Sequence, residues 1–261
     1  MAVALNPPIT HWQRKRCWVL GASTGIGAAL ARTLAARGAR VAISARRAEA
    51  LQKLAAELPT GRALAQPLDI TDASAWAPAT ERVVAEWGGI DLVVFMAGDY
   101  KPMRAWDVDL PAARAIIEVN LTGILNGLVP LVPQLLKQGS GTLAIVSSVA
   151  GYRGLPKALV YGPTKAAAIN LAETLYLDLH PRGIGVCVVN PGFVRTPLTA
   201  QNDFEMPYLI EPEQAAEEIV HGLMRGEFEI HFPKRFSRML KFLRLLPYRF
   251  YFPAIRRSTK L

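Results

Sequence analysis

The sequence predicts a doubly wound α/β domain, in which a parallel sheet carries helices on both faces. Short runs rich in β-branched residues alternate with longer segments that have the apolar spacing of helices. The strand-like runs before Gly185 are almost wholly apolar, as is typical of strands covered on both faces. No internal repeat or linker-like stretch interrupts this alternation. We therefore expect one domain over residues 14–233, followed by a tail over residues 234–261.

Seven strands and six helices account for this alternation. The strands are predicted at residues 17–20, 40–44, 62–67, 91–95, 142–146, 185–189 and 227–232. The helices are predicted at residues 25–37, 48–58, 73–87, 111–137, 159–180 and 212–225. One helix lies between each pair of consecutive strands, which is the βαβ order that makes neighbouring strands parallel.

The composition is that of a chain that folds without disulfides. Of 261 residues, 51% are hydrophobic and 20% are charged, which excludes a disordered chain. Cys17 and Cys187 lie in apolar strand-like runs, so a disulfide framework is excluded. The uncharged residues 119–136 include asparagines and prolines, which argues against a membrane-spanning helix. The basic residues 14–16 follow an uncharged segment, the reverse of the order in a signal peptide, and we expect a cytoplasmic protein.

The net charge of +9 is concentrated in the tail. Residues 234–261 hold nine of the 30 Lys and Arg residues and none of the 21 Asp and Glu residues. The balanced body argues against a nucleic-acid partner, which would require a basic face on the folded domain. Arg238, Lys241 and Arg244 recur every third residue, and the other side of such a helix is apolar, with Met239, Phe242, Leu243 and Leu246. This pattern predicts peripheral contact with an anionic membrane; alternatively, the apolar side packs on the body or on another subunit.

A glycine-rich turn follows the first predicted strand and opens a helix. Its sequence is Gly21-Ala22-Ser23-Thr24-Gly25-Ile26-Gly27. Glycines without Cβ atoms let the amides of a helix N-terminus approach a pyrophosphate, so the turn predicts a dinucleotide site. Alternatively, the glycines only close a strand onto a helix, and their spacing differs from the G-x-G-x-x-G pattern of other dinucleotide folds.

The end of the second predicted strand favours NADP over NAD. An acid at this position would bind the ribose 2′-hydroxyl of NAD, but the chain has Ala45 followed by Arg46 and Arg47. Arginine suits a 2′-phosphate by its charge and its forked donors. Alternatively, both arginines are solvated residues at a helix entrance.

Ser148, Tyr161 and Lys165 form a candidate catalytic set. Tyr161 follows Ser148 by thirteen residues, and Lys165 lies four residues further, on the same face of a helix. An ammonium close to a phenol favours the phenolate, so the pair suits general acid/base catalysis with a lowered tyrosine pKa. A serine hydroxyl nearby can hold a carbonyl oxygen. On its own, Tyr-x-x-x-Lys is also typical of a solvated helix face.

These motifs occur together in the order and spacing of one known family. The glycine-rich turn is followed by Asp69, Met96-Ala97-Gly98, Asn120, Ser148, Tyr161, Lys165 and Asn190-Pro191-Gly192. Over residues 15–232 the chain resembles the short-chain dehydrogenase/reductase family, of the type that prefers NADP. The resemblance implies a Rossmann-type domain with a seven-stranded parallel sheet, an NAD(P)-linked activity on alcohol and carbonyl groups, and a homodimer or homotetramer.

The resemblance also implies a role for each catalytic residue. Tyr161 would be the acid/base, and Lys165 would bind the nicotinamide ribose while lowering the Tyr161 pKa. Ser148 would orient the carbonyl, and its thirteen-residue spacing to the tyrosine favours it over Ser147. Asn120 would hold a water in a proton relay to Lys165. No metal site is expected.

The cofactor-binding residues are implied in the same way. They are Gly21, Ser23, Thr24, Gly25, Ile26, Gly27, Arg46, Asp69, Ile70, Ala97, Gly98, Tyr161, Lys165, Pro191, Gly192, Val194 and Thr196. One departure is visible: the family commonly has Asn-Asn-Ala-Gly after the fourth strand, where this chain has Phe95-Met96-Ala97-Gly98. Those asparagines tie the central sheet together, so the departure concerns local hydrogen bonding. In the family's strand order Cys17 and Cys187 lie three strands apart, about 14 Å, and cannot bridge.

Substrate choice is expected to come from the loops at residues 99–109, 149–160 and 198–211, beyond the strand ends. Their apolar and aromatic side chains are Tyr100, Met103, Trp106, Tyr152, Leu155, Leu198, Phe204, Met206 and Tyr208. They predict a small hydrophobic, lipid-like substrate; alternatively, they pad the loops or a subunit contact. Two other functions fit the sequence: a catalytically silent NADP-binding scaffold or regulator, and a membrane- or partner-docking protein dominated by the tail.

Overall fold

The computed structural model describes residues 4–259, and its seven-stranded sheet is parallel throughout. The strands are β1 Arg16–Leu20, β2 Arg40–Ser44, β3 Ala63–Ala65, β4 Leu92–Phe95, β5 Thr142–Val146, β6 Gly185–Pro191 and β7 Glu229–Phe232. Their order across the sheet is β3-β2-β1-β4-β5-β6-β7. The order reverses between β1 and β4, and ligands of such sheets bind at this switch point. The predicted α/β fold with seven parallel strands is confirmed.

Helices cover both faces of the sheet. They are α1 Gly25–Ala36, α2 Ala48–Glu57, α3 Trp76–Trp87, α4 Leu110–Ile117, α5 Gly123–Gln138, α6 Tyr161–Leu179, α7 Pro212–Met224, α8 Lys234–Leu245 and α9 Tyr248–Ser258. Along β1, Cys17 and Val19 belong to the apolar cluster under α1, α2 and α7. Trp18 and Leu20 belong to the cluster under α3, α5 and α6. Both sides of the strand are therefore buried, which explains its uninterrupted apolar sequence.

The helix predicted over residues 111–137 is interrupted by a wider turn. Helix α4 ends at Ile117, a π-helical turn covers Glu118–Thr122, and α5 begins at Gly123. The turn carries Asn120, whose side chain is completely buried. Such turns inside helices are frequent at functional sites.

The segment Leu110–Gln138 is long and apolar enough, by length and composition, to cross a membrane. In the structure, α5 lies on the sheet through Ile124, Leu131 and Leu135, all of which are buried. The amide of Asn126 donates to the carbonyl oxygen of Ile70 at 3.2 Å. The sheet therefore accounts for the buried apolar side chains of α5, whereas Leu125 and Val129 on the same helix are exposed.

The C-terminal helices each lay one side on the body. In α8, Phe236 and Leu240 are buried, and Leu243 packs beside them. Met239 and Phe242 are 46% and 64% exposed. The sequence placed Leu243 on one apolar side with Met239 and Phe242; the structure separates them, because α8 has apolar residues on both its inward and its outward side.

Both cysteines are buried and free. Cys17 lies on β1 and Cys187 on β6, and strands β4 and β5 lie between them. Burial raises the pKa of both thiols, that of Cys187 to about 12. They act as small apolar side chains of the sheet.

Candidate active site

A cavity of about 510 Å³ opens at the carboxyl ends of the strands. Its walls come from the segments after β1, β2, β3, β4, β5 and β6. It brings together every residue that the sequence assigned to the cofactor, from Gly21 to Thr196. Of the predicted catalytic residues, Ser148, Tyr161 and Lys165 also line it. The fourth, Asn120, is buried next to the cavity wall.

The glycine-rich turn has two positions that only glycine fits. Gly21 has a φ of +90°, and a Cβ atom there would lie 2.5 Å from the amide nitrogen of Ala97. A Cβ atom on Gly27 would overlap the carbonyl oxygen of Gly21. The side chain of Thr24 does not cap α1, so the first amides of α1 remain available at the cavity wall. The residues present therefore fit the pyrophosphate of a dinucleotide.

The wall after β2 is basic. Arg46 and Arg47 line the cavity beyond Ala45. Within residues 4–259, neither arginine forms an ion pair. Nearby, the carboxylate of Asp69 accepts hydrogen bonds from the amide and the hydroxyl of Thr71, at 3.0 and 2.8 Å. Two guanidinium groups are thus free to meet an anion at this wall.

Tyr161 begins α6, and Lys165 lies one turn later. The Nζ atom of Lys165 donates to the carbonyl oxygen of Val146 at 3.0 Å and lies 5.6 Å from the centre of the Tyr161 ring. On the other side, the ring of Tyr100 packs edge-on against that of Tyr161, with centres 4.9 Å apart. The phenol is therefore held between α6 and the loop after β4.

Burial sets the pKa of both groups. It raises the pKa of Tyr161 to about 12, although the neighbouring Ser148 hydroxyl acts in the opposite direction. It lowers the pKa of Lys165 to about 8. The sequence led us to expect a lowered tyrosine pKa; the structure gives a raised one, because desolvation of the phenolate dominates and the ammonium is directed at Val146. A neutral phenol can donate a proton, as the reduction of a carbonyl requires.

The two serines after β5 make different contacts. The hydroxyl of Ser147 donates to the carbonyl oxygen of Lys165 at 2.6 Å, and so ties β5 to α6. The hydroxyl of Ser148 accepts from the amide of Ala150 at 3.1 Å and donates to the carbonyl oxygen of Pro191 at 3.4 Å. The Ser147 hydroxyl is thus occupied by the backbone of α6, whereas the Ser148 hydroxyl lowers the pKa of Tyr161 and is the one that acts on the phenol.

Asn120 is held at both ends of its amide. Its Oδ1 accepts from the amide nitrogen of Asp99 at 2.7 Å, and its Nδ2 donates to the carbonyl oxygen of Asp99 at 2.9 Å. A Cβ atom on Gly98 would lie 3.5 Å from both Asn120 Oδ1 and Lys165 Nζ. The two side chains thus approach the same point beside the cavity.

Two threonines support the site without having been predicted. Thr164 accepts a hydrogen bond from Asn120 at 3.1 Å and donates to the carbonyl oxygen of Tyr161 at 2.8 Å. Thr199 lines the cavity and donates to the carbonyl oxygen of Val194 at 2.6 Å. Thr164 lies inside the Tyr-x-x-x-Lys motif, so its position in the sequence could have identified it as a site residue. Nothing in the sequence pattern marked Thr199.

The predicted substrate side chains lie in different environments. Leu198 lines the cavity. Met103 and Tyr152 are buried in the body, at 3% and 7% exposure. Trp106 is 80% exposed and stacks under the guanidinium of Arg104 at 5.3 Å. Only part of the predicted apolar substrate side chains therefore face the cavity. Met103 and Tyr152 instead pack inside the loops.

Aromatic packing occupies the position where the family commonly has asparagines. Phe95 is buried, and its ring centre lies 5.9 Å from that of Trp76, which is itself 5.9 Å from that of Trp18. A Cβ atom on Gly127 would lie 2.7 Å from the Phe95 ring, so α5 approaches this cluster closely. Apolar contact thus joins the centre of the sheet to α3 and α5.

Comparison with known sequences gives related oxidoreductases. Residues 15–206 match the profile of the short chain dehydrogenase family. An uncharacterized oxidoreductase of Myxococcus xanthus is 38% identical over 241 residues, covering 92% of this chain and 95% of that protein. Another, from Staphylococcus epidermidis, is 33% identical over 205 residues, covering 78% of this chain and 89% of that protein.

Solved structures share the fold. A short-chain dehydrogenase from Streptomyces avermitilis superposes with a TM-score of 0.81 at 27% identity, covering 95% of this chain and 98% of that one. A short chain dehydrogenase/reductase from Burkholderia phymatum, solved in complex with NAD, shares the fold with a TM-score of 0.82 at 19% identity, covering 88% and 93%. The profile match over most of the chain and the identity to full-length relatives lead to one conclusion: this chain belongs to the short-chain dehydrogenase/reductase family of oxidoreductases.

Proposed function

We propose that this chain is an NADP(H)-dependent oxidoreductase that moves a hydride between the cofactor and a hydroxyl or carbonyl carbon of a small hydrophobic substrate. The observation that carries the proposal is the meeting of Ser148, Tyr161 and Lys165 in the same cavity as the glycine-rich turn. A protein that only bound the dinucleotide would not require all three side chains, which favours an enzyme over a silent scaffold.

The preference for NADP rests on charge at the end of β2. Ala45 offers no carboxylate to a ribose 2′-hydroxyl, whereas Arg46 and Arg47 line the cavity there. A 2′-phosphate would receive charge-assisted hydrogen bonds from these guanidinium groups. NAD would leave both of them without an anionic partner.

The dinucleotide, when bound, supplies or accepts the hydride, and the protein manages the proton and the substrate oxygen. With its pKa at about 12, Tyr161 is neutral and donates its proton to the oxygen as negative charge develops there. The Ser148 hydroxyl donates a second hydrogen bond that orients the same oxygen. Once the proton has left, the Lys165 ammonium on the same helix face stabilises the phenolate.

An apolar substrate is supported by the side chains around the catalytic residues. Leu198 and Val194 line the cavity, and the ring of Phe204 packs on this loop. Two charged side chains of this loop are neutralised by ion pairs, Asp203 with Lys157 and Arg195 with Glu211. This wall therefore favours an apolar group over a charged one.

Turnover tests the proposal directly. A panel of aldehydes, ketones and the matching alcohols is incubated with NADPH, NADH, NADP and NAD, while the nicotinamide absorbance is followed. We expect reduction of an apolar carbonyl, faster with NADPH than with NADH. Tight NADPH binding without turnover of any compound would favour the silent scaffold instead.

A further inference from the structure

The outward side of α8 exposes large apolar side chains. Met239, Phe242 and Leu245 are 46%, 64% and 80% exposed. Phe236 and Leu240, on the side of α8 that faces the body, are buried. Since α8 already covers the body with its other side, these three side chains have no role in the core.

Helix α9 also exposes aromatic side chains. Tyr251 and Ile255 are buried, whereas Phe250 and Phe252 are 52% and 56% exposed. Tyr248, at the start of α9, is 66% exposed. We call the set of Met239, Phe242, Leu245, Phe250 and Phe252 the outward face. Large apolar side chains exposed in this number mark interaction sites.

Exposed arginines accompany the outward face. They are Arg235, Arg238, Arg244, Arg249, Arg256 and Arg257. Across residues 234–259 only Lys241 forms an ion pair, with Glu229 at 2.6 Å, and the tail has no acid of its own. A partner of the outward face must therefore accept apolar side chains and carry negative charge.

The helices are fixed to the body in this orientation. The guanidinium of Arg153 lies 4.5 Å from the ring centre of Tyr248 and 4.0 Å from that of Tyr251. It also donates to the carbonyl oxygens of Leu243 and Leu246, at 3.2 and 2.6 Å. The hydroxyl of Tyr251 donates to the carbonyl oxygen of Gly154 at 2.6 Å. These contacts fix α8 and α9 on the body and leave the outward face exposed.

An aromatic cluster joins α8 to the wall of the cavity. The ring centre of Phe236 lies 5.4 Å from that of Phe193 and 6.1 Å from that of Tyr208. Phe193 is also 5.7 Å from Phe204 and stands between two cavity residues, Gly192 and Val194. The outward face therefore lies on a helix that touches the loops around the proposed substrate end.

We propose that the outward face binds the interface of an anionic lipid bilayer and that the cavity takes its apolar substrate from that bilayer. Amphipathic helices that combine arginines with aromatic and aliphatic side chains bind at this depth of a membrane. A second copy of the chain is the less suitable occupant, since a symmetric contact would bring the same arginines together. The first half of this proposal, docking on the bilayer, does not depend on the proposed function. The second half, delivery of the substrate from the bilayer, rests on it.

Flotation with vesicles tests the docking half on the full chain without any turnover. One set of vesicles is made of equal parts of phosphatidylglycerol and phosphatidylcholine, and the other of phosphatidylcholine alone. We expect binding to the first set, weaker binding to the second, and a decrease with added salt. Replacement of the outward apolar residues in M239Q/F242Q/L245Q should weaken binding to both sets at least about tenfold.

Two further variants separate the contributions. R235Q/R238Q should weaken binding to the anionic vesicles by roughly fivefold for each arginine, with little change on phosphatidylcholine. V129Q/L177Q removes two side chains that are 74% and 73% exposed elsewhere, and it should bind as the unmodified chain does. Absence of vesicle binding overturns the proposal. So does a triple variant M239Q/F242Q/L245Q that dissociates a lipid-free oligomer, because the face would then belong to a second copy.

A pair of aldehydes tests the substrate half. A short water-soluble aldehyde and a long-chain aldehyde dissolved in the anionic vesicles are offered with NADPH. The triple variant should reduce the first at the unmodified rate and the second at least about tenfold more slowly. Equal rates on both, with vesicle binding lost, would overturn bilayer delivery. If the unmodified chain reduced neither aldehyde, the proposed function would fail while the flotation result stood.

Discussion

The catalytic cleft and the outward face of the tail distribute polarity in opposite ways. In the cleft, Asn120 and Lys165 are 0% and 4% exposed, and both donate to backbone carbonyl oxygens. On α8, Phe242 is 64% exposed beside the exposed Arg238. Buried polar groups are tolerated only where hydrogen bonds fix them, so the cleft has a geometry suited to a reaction. Exposed apolar groups remain costly until they are covered, so the tail has a surface suited to a partner.

One carboxylate connects these two regions. Glu229 accepts from the hydroxyl of Tyr152 at 2.6 Å and from the amide of Asn190 at 2.9 Å. It also accepts from the Nζ atom of Lys241 on α8 at 2.6 Å. Tyr152 lies four residues beyond Ser148. Asn190 is in β6, directly before the cavity residue Pro191. The tail is therefore attached to the same strand ends that carry the cleft.

The largest expected effect falls on the cleft. Tyr161→Phe keeps the ring and removes the proton donor, so turnover should fall about 10²–10⁴-fold while NADPH binding persists. Tyr176→Phe is the matched control on α6, because that hydroxyl donates to the backbone of Leu5, outside the cavity. Steady-state turnover and fluorescence titration with NADPH measure the two quantities. Unchanged turnover in Tyr161→Phe would refute the assigned role.

The cleft was more predictable from the sequence than the tail, for a physical reason. Glycine turns and an i, i+4 pair are local motifs, so Gly21, Tyr161 and Lys165 could be assigned from their spacing together with the family resemblance. The raised pKa of Tyr161 depends on burial by distant elements, which spacing does not express. Likewise, the opposite environments of Leu243 and Phe242 depend on which side of α8 meets the body. Helical periodicity identifies an amphipathic segment but cannot say which apolar residues are covered.

Next in size is the difference between the two sides of α8. Phe236→Ala removes a buried ring that packs on Phe193, and it should lower the free energy of unfolding by about 3 kcal/mol. Phe242→Ala, on the outward face, should change it by less than about 0.5 kcal/mol. Chemical denaturation of the two variants gives the comparison. Equal losses would mean that the outward face also contributes to the core, and the contrast between inward and outward sides would be lost.

A smaller effect is expected on cofactor choice. Ala45→Asp combined with Arg46→Gln adds an acceptor for a ribose 2′-hydroxyl and removes a phosphate donor. A charge-assisted hydrogen bond contributes about 1.5–3 kcal/mol, so the ratio of NADPH to NADH affinity should fall about tenfold to a hundredfold. Arg114→Gln, an exposed arginine on α4, is the control. An unmodified protein that bound NADH as tightly as NADPH would already refute the preference.

The smallest effect concerns the junction between sheet and tail at acid pH. His231 on β7 hydrogen-bonds to Ser237 on α8 at 2.6 Å. Burial, followed by the charges of Lys241 and Lys234, lowers its pKa to about 4, whereas an unfolded chain has a histidine pKa of about 6.5. Between these values the unfolded chain binds a proton that the folded chain does not. Stability is therefore complete above about pH 6.5 and falls as the pH drops toward 4.

Because His231 is only half buried, solvent screening should limit this loss to about 1 kcal/mol. Denaturation at about pH 7.5 and about pH 5 measures the loss, and His231→Gln should remove that part of it while keeping an amide near Ser237. His11→Gln, at an exposed position outside the junction, should leave the pH dependence unchanged. If the His231→Gln variant lost as much stability as the unmodified chain between the two pH values, His231 would not be the source of the acid sensitivity. The loss would then arise elsewhere in the body, and the junction between β7 and α8 would not respond to pH.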